Sequence, residues 1–294
     1  MKNDKKISAL GVTSTQGRQT GDKNSFSTVA DVGTNCQGDG LEKIIESINF
    51  RYGPGTLMRL GEAPLFHPVL STGIEELDTA LGIGGIPRGR IIEIFGSDTA
   101  GKTSLALQIA REAESVLYID ADHGLNPAQM IGLTIASADT LEDALNICEI
   151  AAPAFDLIVI DTVAALPTRE DLTLPLGCEG YKKSTAVVLS RTLPRLIHSL
   201  AKHGCTLILV NQEREIPNVV YGNPLKSTGG RALKFYASVR LSINKLPLLC
   251  EKNKMAYAQK VRIRIVKNNC APPFKEAEPW LLFETGIMTG EAVV

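Results

Sequence analysis

The sequence is short of the residues on which several kinds of binding site depend. Aromatic residues make up 5% of its 294 residues, with one Trp, which leaves little for a site that stacks bases on aromatic rings. The four His are scattered, so a zinc site is not expected. The formal net charge is −1, so any nucleic-acid contact has to come from a local surface rather than from an overall basic excess.

The cysteines and the apolar runs exclude further classes. Six cysteines lie at positions 36, 148, 178, 205, 250 and 270, and no two have the Cys-x-x-Cys spacing of a metal or redox site. Several stand in apolar runs, so we predict reduced cysteines that pack the core of a cytoplasmic protein. No apolar run reaches the roughly 18–20 residues that a membrane span requires, and no apolar segment follows the charged N-terminus as in a secretory signal. A membrane partner is therefore not expected.

Composition divides the chain into three regions. Residues 1–40 are rich in Ser, Thr, Gly, Asn and Asp without apolar periodicity, and we predict a disordered tail. Residues 41–64 contain a short amphipathic helix over about 41–51, which is either an oligomerisation arm that docks on a neighbouring subunit or a helix packed on its own core. Residues 65–294 are long enough to bury a sizeable core. The apolar face of the short helix consists of Leu41, Ile44, Ile45 and Ile48.

Alternating patterns indicate the fold class of the third region. From about residue 65 to 245, short apolar strands alternate with amphipathic helices, which predicts an α/β fold with a mainly parallel sheet and helices on both faces. One longer helix is expected around residues 189–200, kinked or started at Pro194. The last apolar segments have no room for helices between them, so we expect them to extend the sheet as antiparallel strands at its C-terminal end. These segments lie near 238–245, 259–267 and 279–283.

A phosphate-binding loop follows the first of the long apolar strands. The segment Gly96-Ser97-Asp98-Thr99-Ala100-Gly101-Lys102-Thr103 fits the pattern G-x-x-x-x-G-K-S/T, between a buried strand and an amphipathic helix. Backbone N–H groups of such a loop and of the helix N-terminus face phosphates. Lys102 is expected to reach the β- and γ-phosphates, and Thr103 to ligate Mg²⁺. We predict ATP and Mg²⁺ as cofactors, with Ser104 completing the cofactor-binding residues of the loop.

Polar residues at the ends of three other strands supply the rest of the predicted site. Asp161 ends the apolar strand 157–160, the position of a Walker B carboxylate that holds Mg²⁺ through water. Either Asp120 or Asp122 is expected to orient the attacking water, because open α/β sheets bind ligands at their carboxyl ends, and spacing alone does not choose between them. Gln212 is either a γ-phosphate sensor or an ordinary polar strand end.

Segments outside the loop resemble the bacterial RecA recombinase family. The resemblance runs from about residue 41 to 290 and is far more specific than a phosphate-binding loop. It is carried by Met58–Glu62, Ser71–Gly73, Gly84–Arg90, Ile160–Leu166, Val210–Gln212, Gly222–Pro224, Thr228–Arg240 and Val266–Asn268.

The resemblance implies a DNA-stimulated ATPase of recombination, DNA repair and the SOS damage response. Such a protein forms a filament with ATP held between neighbouring subunits, and it pairs and exchanges homologous strands. The implied partners are single-stranded DNA, homologous duplex DNA, other copies of the chain and, further, a LexA-type repressor or a translesion polymerase.

The resemblance also implies roles for individual residues. Asp122 falls at the position of the catalytic Glu and acts with Lys102 and the sensor Gln212. Asn126 lies in the turn that contacts adenine. The stretches around 170–182 and 213–228 match two mobile DNA-binding loops. The implied DNA-binding residues are Arg214, Lys226, Gly229 and Gly230, and the residues that face the next subunit are Lys234, Phe235 and, toward its nucleotide, Lys267.

Departures from the family pattern keep two other functions open. The usual catalytic Glu is Asp122, a second interface lysine is Asn269, and Gln129 stands where an aromatic residue often packs on adenine. The first DNA loop looks unusual, and the chain ends about where a small C-terminal domain should begin. These departures favour a RecA-like accessory protein with weak ATPase activity in translesion or damage-response complexes. The Lys234-Phe235 segment argues against a P-loop enzyme that acts on a small molecule.

Overall fold

The chain forms two compact units, residues 1–64 and 65–294. The computed structural model describes residues 39–53, 56–59, 68–125, 132–175, 181–215, 225–227, 230–252, 255–283, 285–286 and 288–289. Most of the predicted tail, residues 1–38, lies outside the described residues. In the first unit, helix α1 (Asp39–Tyr52) confirms the helix predicted over about 41–51. Its Asn49 side chain accepts a hydrogen bond from the Leu57 N–H at 2.8 Å and donates one to the Leu57 carbonyl at 2.9 Å.

The second unit contains the other helices and all of the described strands. The helices are α2 (Glu75–Leu81), α3 (Lys102–Arg111), α4 (Leu141–Ala151), α5 (Arg169–Thr173), α6 (Tyr181–His203) and α7 (Gly230–Tyr236). The strands are β1 (Val69–Leu70), β2 (Ile86–Pro87), β3 (Ile91–Gly96), β4 (Val116–Asp120), β5 (Thr134–Ala136), β6 (Leu157–Asp161), β7 (Thr206–Glu215), β8 (Leu225–Ser227), β9 (Val239–Lys252), β10 (Met255–Asn268), β11 (Glu276–Ala277), β12 (Trp280–Leu282) and β13 (Met288–Thr289).

The main sheet is parallel on one side and antiparallel on the other. Its strand order within the described residues is β13-β12-β10-β9-β3-β7-β6-β4-β5, with β11 beside β10 and β8 beside β7. All pairs from β9 to β5 are parallel, and the pairs from β9 to β13 are antiparallel. The predicted fold class is therefore confirmed. One expectation was wrong, namely that the segment near 238–245 joins the sheet as an antiparallel strand. This segment lies in β9, which runs parallel to β3, because α7 lies between β7 and β9 and provides the crossover that a parallel neighbour needs.

Helices cover both faces of this sheet, as predicted. One apolar core joins α2 and α3 to side chains such as Ile94 and Val210, and the other joins α4, α6 and α7 to side chains such as Ile158 and Leu209. Cys148 and Cys205 are free thiols buried in the second core, so they are packing groups, and burial raises the pKa of Cys205 to about 12. None of the described helices is long and apolar enough to cross a membrane.

Helix α6 differs from its prediction at its N-terminal end. It begins at Tyr181 and contains Pro194 in its interior, so the helix does not start at the proline. Pro194 removes one backbone hydrogen bond, but four leucines of the same helix are completely or almost completely buried, and their packing outweighs that loss. These leucines are Leu189, Leu193, Leu196 and Leu200.

Candidate nucleotide site

The carboxyl ends of four parallel strands bring most of the predicted nucleotide site together. Gly96 of β3 pairs in register with Gln212 of β7, and Asp120 of β4 pairs in register with Asp161 of β6. Since the strands lie in the order β3-β7-β6-β4, Gln212 stands between the phosphate-binding loop and Asp161. This is the edge at which an open α/β sheet binds its ligand.

Two glycines determine the shape of the loop between β3 and α3. Gly96 has φ 156°, and a Cβ atom there would lie 2.0 Å from the Ile243 carbonyl oxygen, so a larger residue would push the loop away from β9. Gly101 has φ 95° and precedes α3 without a side-chain cap. The first N–H groups of this helix therefore point into the loop without a side-chain partner at the cap, as an anion-binding helix N-terminus requires.

Two lysines place positive charge at the loop. Lys102 Nζ donates to the carbonyl oxygens of Gly96 at 3.3 Å and of Ser97 at 2.7 Å. Burial lowers the pKa of Lys102, and the carboxylates of Asp98, Asp161 and Glu213 oppose that shift. Lys245 of β9 donates to the Thr99 hydroxyl. The predicted loop lysine and a second lysine, from a strand that is far away in the sequence but adjacent to β3 in the sheet, thus both contact the loop.

Asp161 is buried and accepts a hydrogen bond from a tyrosine hydroxyl group. Tyr118 donates to Asp161 Oδ2 at 2.7 Å. Burial raises the pKa of the Asp161 carboxyl, whereas hydrogen bonds from Thr103 and Tyr118 lower it. The two residues predicted to hold Mg²⁺, Thr103 and Asp161, therefore lie near each other at the loop.

The two further carboxylates differ in their surroundings. Asp120 is buried, and its Oδ2 accepts a hydrogen bond from the Leu125 N–H at 3.3 Å. Asp122 is exposed, and its Oδ1 accepts from the Gly124 N–H at 3.1 Å. Partial burial raises the pKa of Asp122, the Gly124 N–H opposes this, and the nearby Asp120 raises it further.

The donor set fits a magnesium ion carried by nucleotide phosphates. Asp120 Oδ1 is buried and accepts no hydrogen bond from the described residues, so an acceptor is available beside Asp161 for a metal-bound water. Proteins usually bind Mg²⁺ through one or two carboxylates together with substrate phosphates rather than in an all-protein cage. Asp161 and Asp120, register partners at the ends of β6 and β4, supply such carboxylates here.

A cavity of about 400 Å³ lies beside the loop, and part of its wall was not predicted. Thr103 and Ser104 form one side, and Lys245, Leu281 and Phe283 contribute to the other. The apolar wall comes from β12 and the residue after it, which the sheet brings next to the loop through β9 and β10. In the sequence, Phe283 is visible only as the aromatic end of the apolar segment 279–283. Such a segment indicates a strand but not which part of the protein lies beside it.

Two of the predicted subunit-facing residues, Phe235 and Lys267, line a second cavity of about 550 Å³. Phe235 has an exposed fraction of 74%, and it lines this cavity with Lys267 and Asn269. Lys267 Nζ donates to the carbonyl oxygens of Lys234 at 3.1 Å and of Phe235 at 2.7 Å. Burial lowers the pKa of Lys267, and so does Arg240. The structure therefore groups these residues around the C-terminal end of α7.

The predicted DNA loops contain more regular structure than expected. Instead of a flexible loop throughout 213–228, Glu213–Glu215 pairs with Leu225–Ser227 as an antiparallel ladder, in which Arg214 is the register partner of Lys226. The stretch 170–182 begins in α5, because Thr168 and Asp171 form a capping box that stabilises this short helix. Gly230 is the first residue of α7. Asn126, Gln129 and Gly229 lie outside the described residues.

These features define the class of the protein. A buried strand leads through a glycine-dependent loop into a helix N-terminus, and a buried acid near this loop ends a strand of the same sheet. Together they are the parts of a P-loop nucleotide-binding protein with a RecA-type sheet.

Comparison with known proteins identifies the family. The model of the RecA N-terminal domain matches residues 39–288. The chain is 41% identical to Protein RecA of Clostridium novyi (strain NT) over 261 residues, covering 84% of this chain and 74% of the relative. It is 44% identical to a Protein RecA of Thermus thermophilus, covering 84% of this chain and 76% of the relative. The chain belongs to the RecA family, whose members are ATPases of DNA recombination and repair.

A solved structure supports the fold. The crystal structure of the RadB recombinase is similar with a TM-score of 0.56 at 21% identity, covering 76% of this chain and all of that chain. At this identity the likeness concerns the architecture of the sheet and helices alone.

Proposed function

We propose that this chain forms ATP-bound filaments on single-stranded DNA, in the cytoplasm, and pairs and exchanges homologous strands. The observation that carries the proposal is the complete P-loop site, with Gln212 in register beside Gly96 and β7 continuing from Gln212 into the Arg214–Lys226 ladder. A residue at the nucleotide is thus two positions away from a residue proposed to contact DNA. Family membership supports the same function.

Each site residue has a distinct role in the proposed ATPase. Lys102 places a positive charge at the β- and γ-phosphates, and Thr103 with Asp161 holds Mg²⁺, which neutralises developing charge when it is bound. Asp122 is proposed to orient the attacking water, because its carboxylate is exposed whereas that of Asp120 is buried. Gln212 senses the γ-phosphate. Lys267 reaches the nucleotide of the neighbouring subunit, and Asn126 contacts adenine.

Filament formation is tested by electron microscopy of the protein with single-stranded DNA and ATP. Regular filaments are expected, and with homologous duplex DNA present the filaments should produce exchanged strands. A RecA-like accessory protein would instead bind a preformed filament, a translesion polymerase or a LexA-type repressor without assembling by itself.

The variant lacking residues 1–52 tests whether α1 is an oligomerisation arm that docks on the neighbouring subunit. We expect this variant to bind ATP but to form no filaments, and normal filaments would exclude this role of α1.

We expect the adenine base to lie against Phe283 in the 400 Å³ cavity. Phe283→Ala should weaken ATP binding by about 5- to 150-fold, because loss of base–aromatic stacking costs roughly 1–3 kcal/mol. Phe283→Tyr keeps the ring and should bind ATP normally. Calorimetric titration with ATP and with inorganic tripolyphosphate separates base from phosphate contacts. If Phe283→Ala weakens both ligands equally, the ring supports the loop and does not contact the base.

We also expect Arg214 to contact the DNA backbone with little sequence preference. Arg214→Ala should weaken binding of single-stranded DNA and reduce the slope of log affinity against log salt by about one, since one phosphate contact is lost. Arg111→Ala, at the last turn of α3, is the matched control and should leave the slope unchanged. Fluorescence anisotropy at several salt concentrations measures both quantities, and equal affinity and slope in Arg214→Ala would remove this residue from the DNA site.

A further inference from the structure

Three polar side chains meet inside an otherwise apolar part of the sheet. Glu93 lies in the middle of β3, among three buried isoleucines, and is completely buried. Asn211 of β7 is also completely buried, and the side chain of Arg240 in β9 is 10% exposed. All three strands are adjacent, in the order β9-β3-β7. An ion pair thus occupies positions that an apolar core would otherwise fill.

These side chains form a continuous path of hydrogen bonds to the sensor position. Arg240 Nε donates to Glu93 Oε2, and Asn211 Nδ2 donates to Glu93 Oε1 at 3.0 Å. Asn211 Oδ1 in turn accepts from the backbone N–H of Gln212 at 2.9 Å. The Arg240 guanidinium also lies 4.4 Å from the centre of the Phe95 ring. The orientation of the Asn211 amide, and with it the Gln212 backbone, therefore depends on Glu93.

The other end of the path reaches the end of α7. Arg240 is the register partner of Lys267 across β9 and β10, and Lys267 donates to the carbonyls of Lys234 and Phe235. The proposed subunit contact at Phe235 and the proposed sensor Gln212 are thus linked through adjacent groups. Between Arg240 and Gln212 the link runs through the buried side chains of Glu93 and Asn211.

Stability alone does not account for a buried ion pair at this place. Removing two charges from water is unfavourable, and apolar pairs of similar volume are often as stable as the ion pair they replace. Directional hydrogen bonds, by contrast, fix one arrangement of the groups they join. What the ion pair adds over an apolar pair is therefore a defined position for Asn211 and Gln212.

We propose that Glu93, Arg240 and Asn211 are positioning residues that hold Gln212 beside the phosphate-binding loop and link it to the end of α7. The proposal rests on the proposed function in one respect, namely that Gln212 senses the γ-phosphate. The three residues act through Gln212 and touch neither nucleotide nor DNA.

The decisive variant is the apolar double substitution Glu93→Leu/Arg240→Met. Both charges are removed together, so no buried charge is left unpaired and the full-length protein should fold, with a melting temperature lowered by several degrees because the buried Asn211 amide loses the acceptor on Glu93. We expect DNA-stimulated ATP turnover to fall about tenfold or more, since small misplacements of a group that must be held in line are costly, while ATP affinity stays within about threefold. Ser242→Ala is the matched control, because Ser242 is buried two positions beyond Arg240 on the same face of β9 and should change neither quantity.

Combination with Gln212→Ala distinguishes positioning from a general structural effect. If the path acts through Gln212, the triple variant hydrolyses ATP as slowly as Gln212→Ala alone; independent, multiplying losses would overturn the proposal. The second readout is hydrogen exchange of the Gln212 amide, which needs no ATPase activity. It should exchange about tenfold faster or more in the double variant because its acceptor is no longer held, and unchanged exchange would also overturn the proposal. A parent protein without DNA-stimulated turnover would contradict the proposed function, and the exchange measurement would still decide the positioning role.

Discussion

The Lys102→Ala protein is expected to lose ATP turnover by roughly 10²–10³-fold, the usual cost of removing one preorganised donor to the transition state. Lys102 is the loop residue whose ammonium lies within hydrogen-bonding distance of the Gly96 and Ser97 carbonyls, and its pKa is lowered chiefly by burial. A partly buried charge aimed at phosphates interacts more strongly than one in water. Steady-state ATP hydrolysis with saturating single-stranded DNA measures the loss, and ATP-dependent filament assembly should weaken with it.

Lys202→Ala is the appropriate comparison for this substitution. Lys202 lies in the last turn of α6 and is exposed, so the same change of side chain is made away from the loop. The control should hydrolyse ATP at the original rate. Unchanged turnover in a folded Lys102→Ala protein would show that the nucleotide site has been assigned to the wrong loop.

Asp122→Glu is expected to raise DNA-stimulated ATP turnover, by up to about a hundredfold. Asp is one methylene shorter than the Glu of the family pattern, so in the proposed site we expect its carboxylate to lie farther from the γ-phosphate by on the order of 1 Å, and a misplacement of that size can carry such a cost. In the structure, Asp122 Oδ1 also accepts from the Gly124 N–H, which directs one carboxylate oxygen back toward its own turn. The natural protein should accordingly bind ATP and DNA well, hydrolyse slowly and form long-lived filaments.

Three comparisons complete this experiment. Adding Asn269→Lys should raise turnover further, because a lysine stabilises charge on the transferring phosphoryl group better than a neutral amide does. Asp139→Glu, an exposed position outside the site, should have no effect. Burial and Asp120 raise the pKa of Asp122, so turnover should begin to fall, as the pH is lowered, above the ordinary range of an aspartate. A decrease in turnover in Asp122→Glu would mean that the site has adjusted to the shorter acid.

The features that could be predicted from the sequence are those that depend on residues close together in the chain. The loop from Gly96 to Thr103 could be identified because the chemistry of phosphate binding fixes residue types at neighbouring positions. Asp161 followed from its place at the end of an apolar strand, since parallel strands bring such ends to one edge. Gln212 lies at the same edge, where the pairing of β7 with β3 ends, but the prediction that it ends its strand was wrong, because β7 continues to Glu215. The parallel part of the sheet followed from the alternation of helices and strands. The antiparallel extension followed from the last apolar segments, which leave no room for helices between them.

Contacts between strands that are far apart in the sequence could not be predicted. The pairing of β9 with β3 brings Lys245 to the loop, and the further pairing of β10 and β12 brings Phe283 there. Periodicity within one strand contains no information about such neighbours. The path from Arg240 to Gln212 was missed for the same reason. A signal existed, because Glu93 is a charged residue in the apolar segment Ile91–Phe95, and a charge in a buried strand requires a partner.

The two cavities, which share no residue, have a consequence for how activity depends on assembly. If one cavity holds a nucleotide and the other supplies Lys267 to the nucleotide of the next copy, the contact is head-to-tail and does not close on itself. An assembly then contains one complete active site fewer than it has subunits. Activity per subunit should rise steeply from dimers to short oligomers and level off in long filaments, and the terminal subunit should retain ATP unhydrolysed, as a cap that favours further growth.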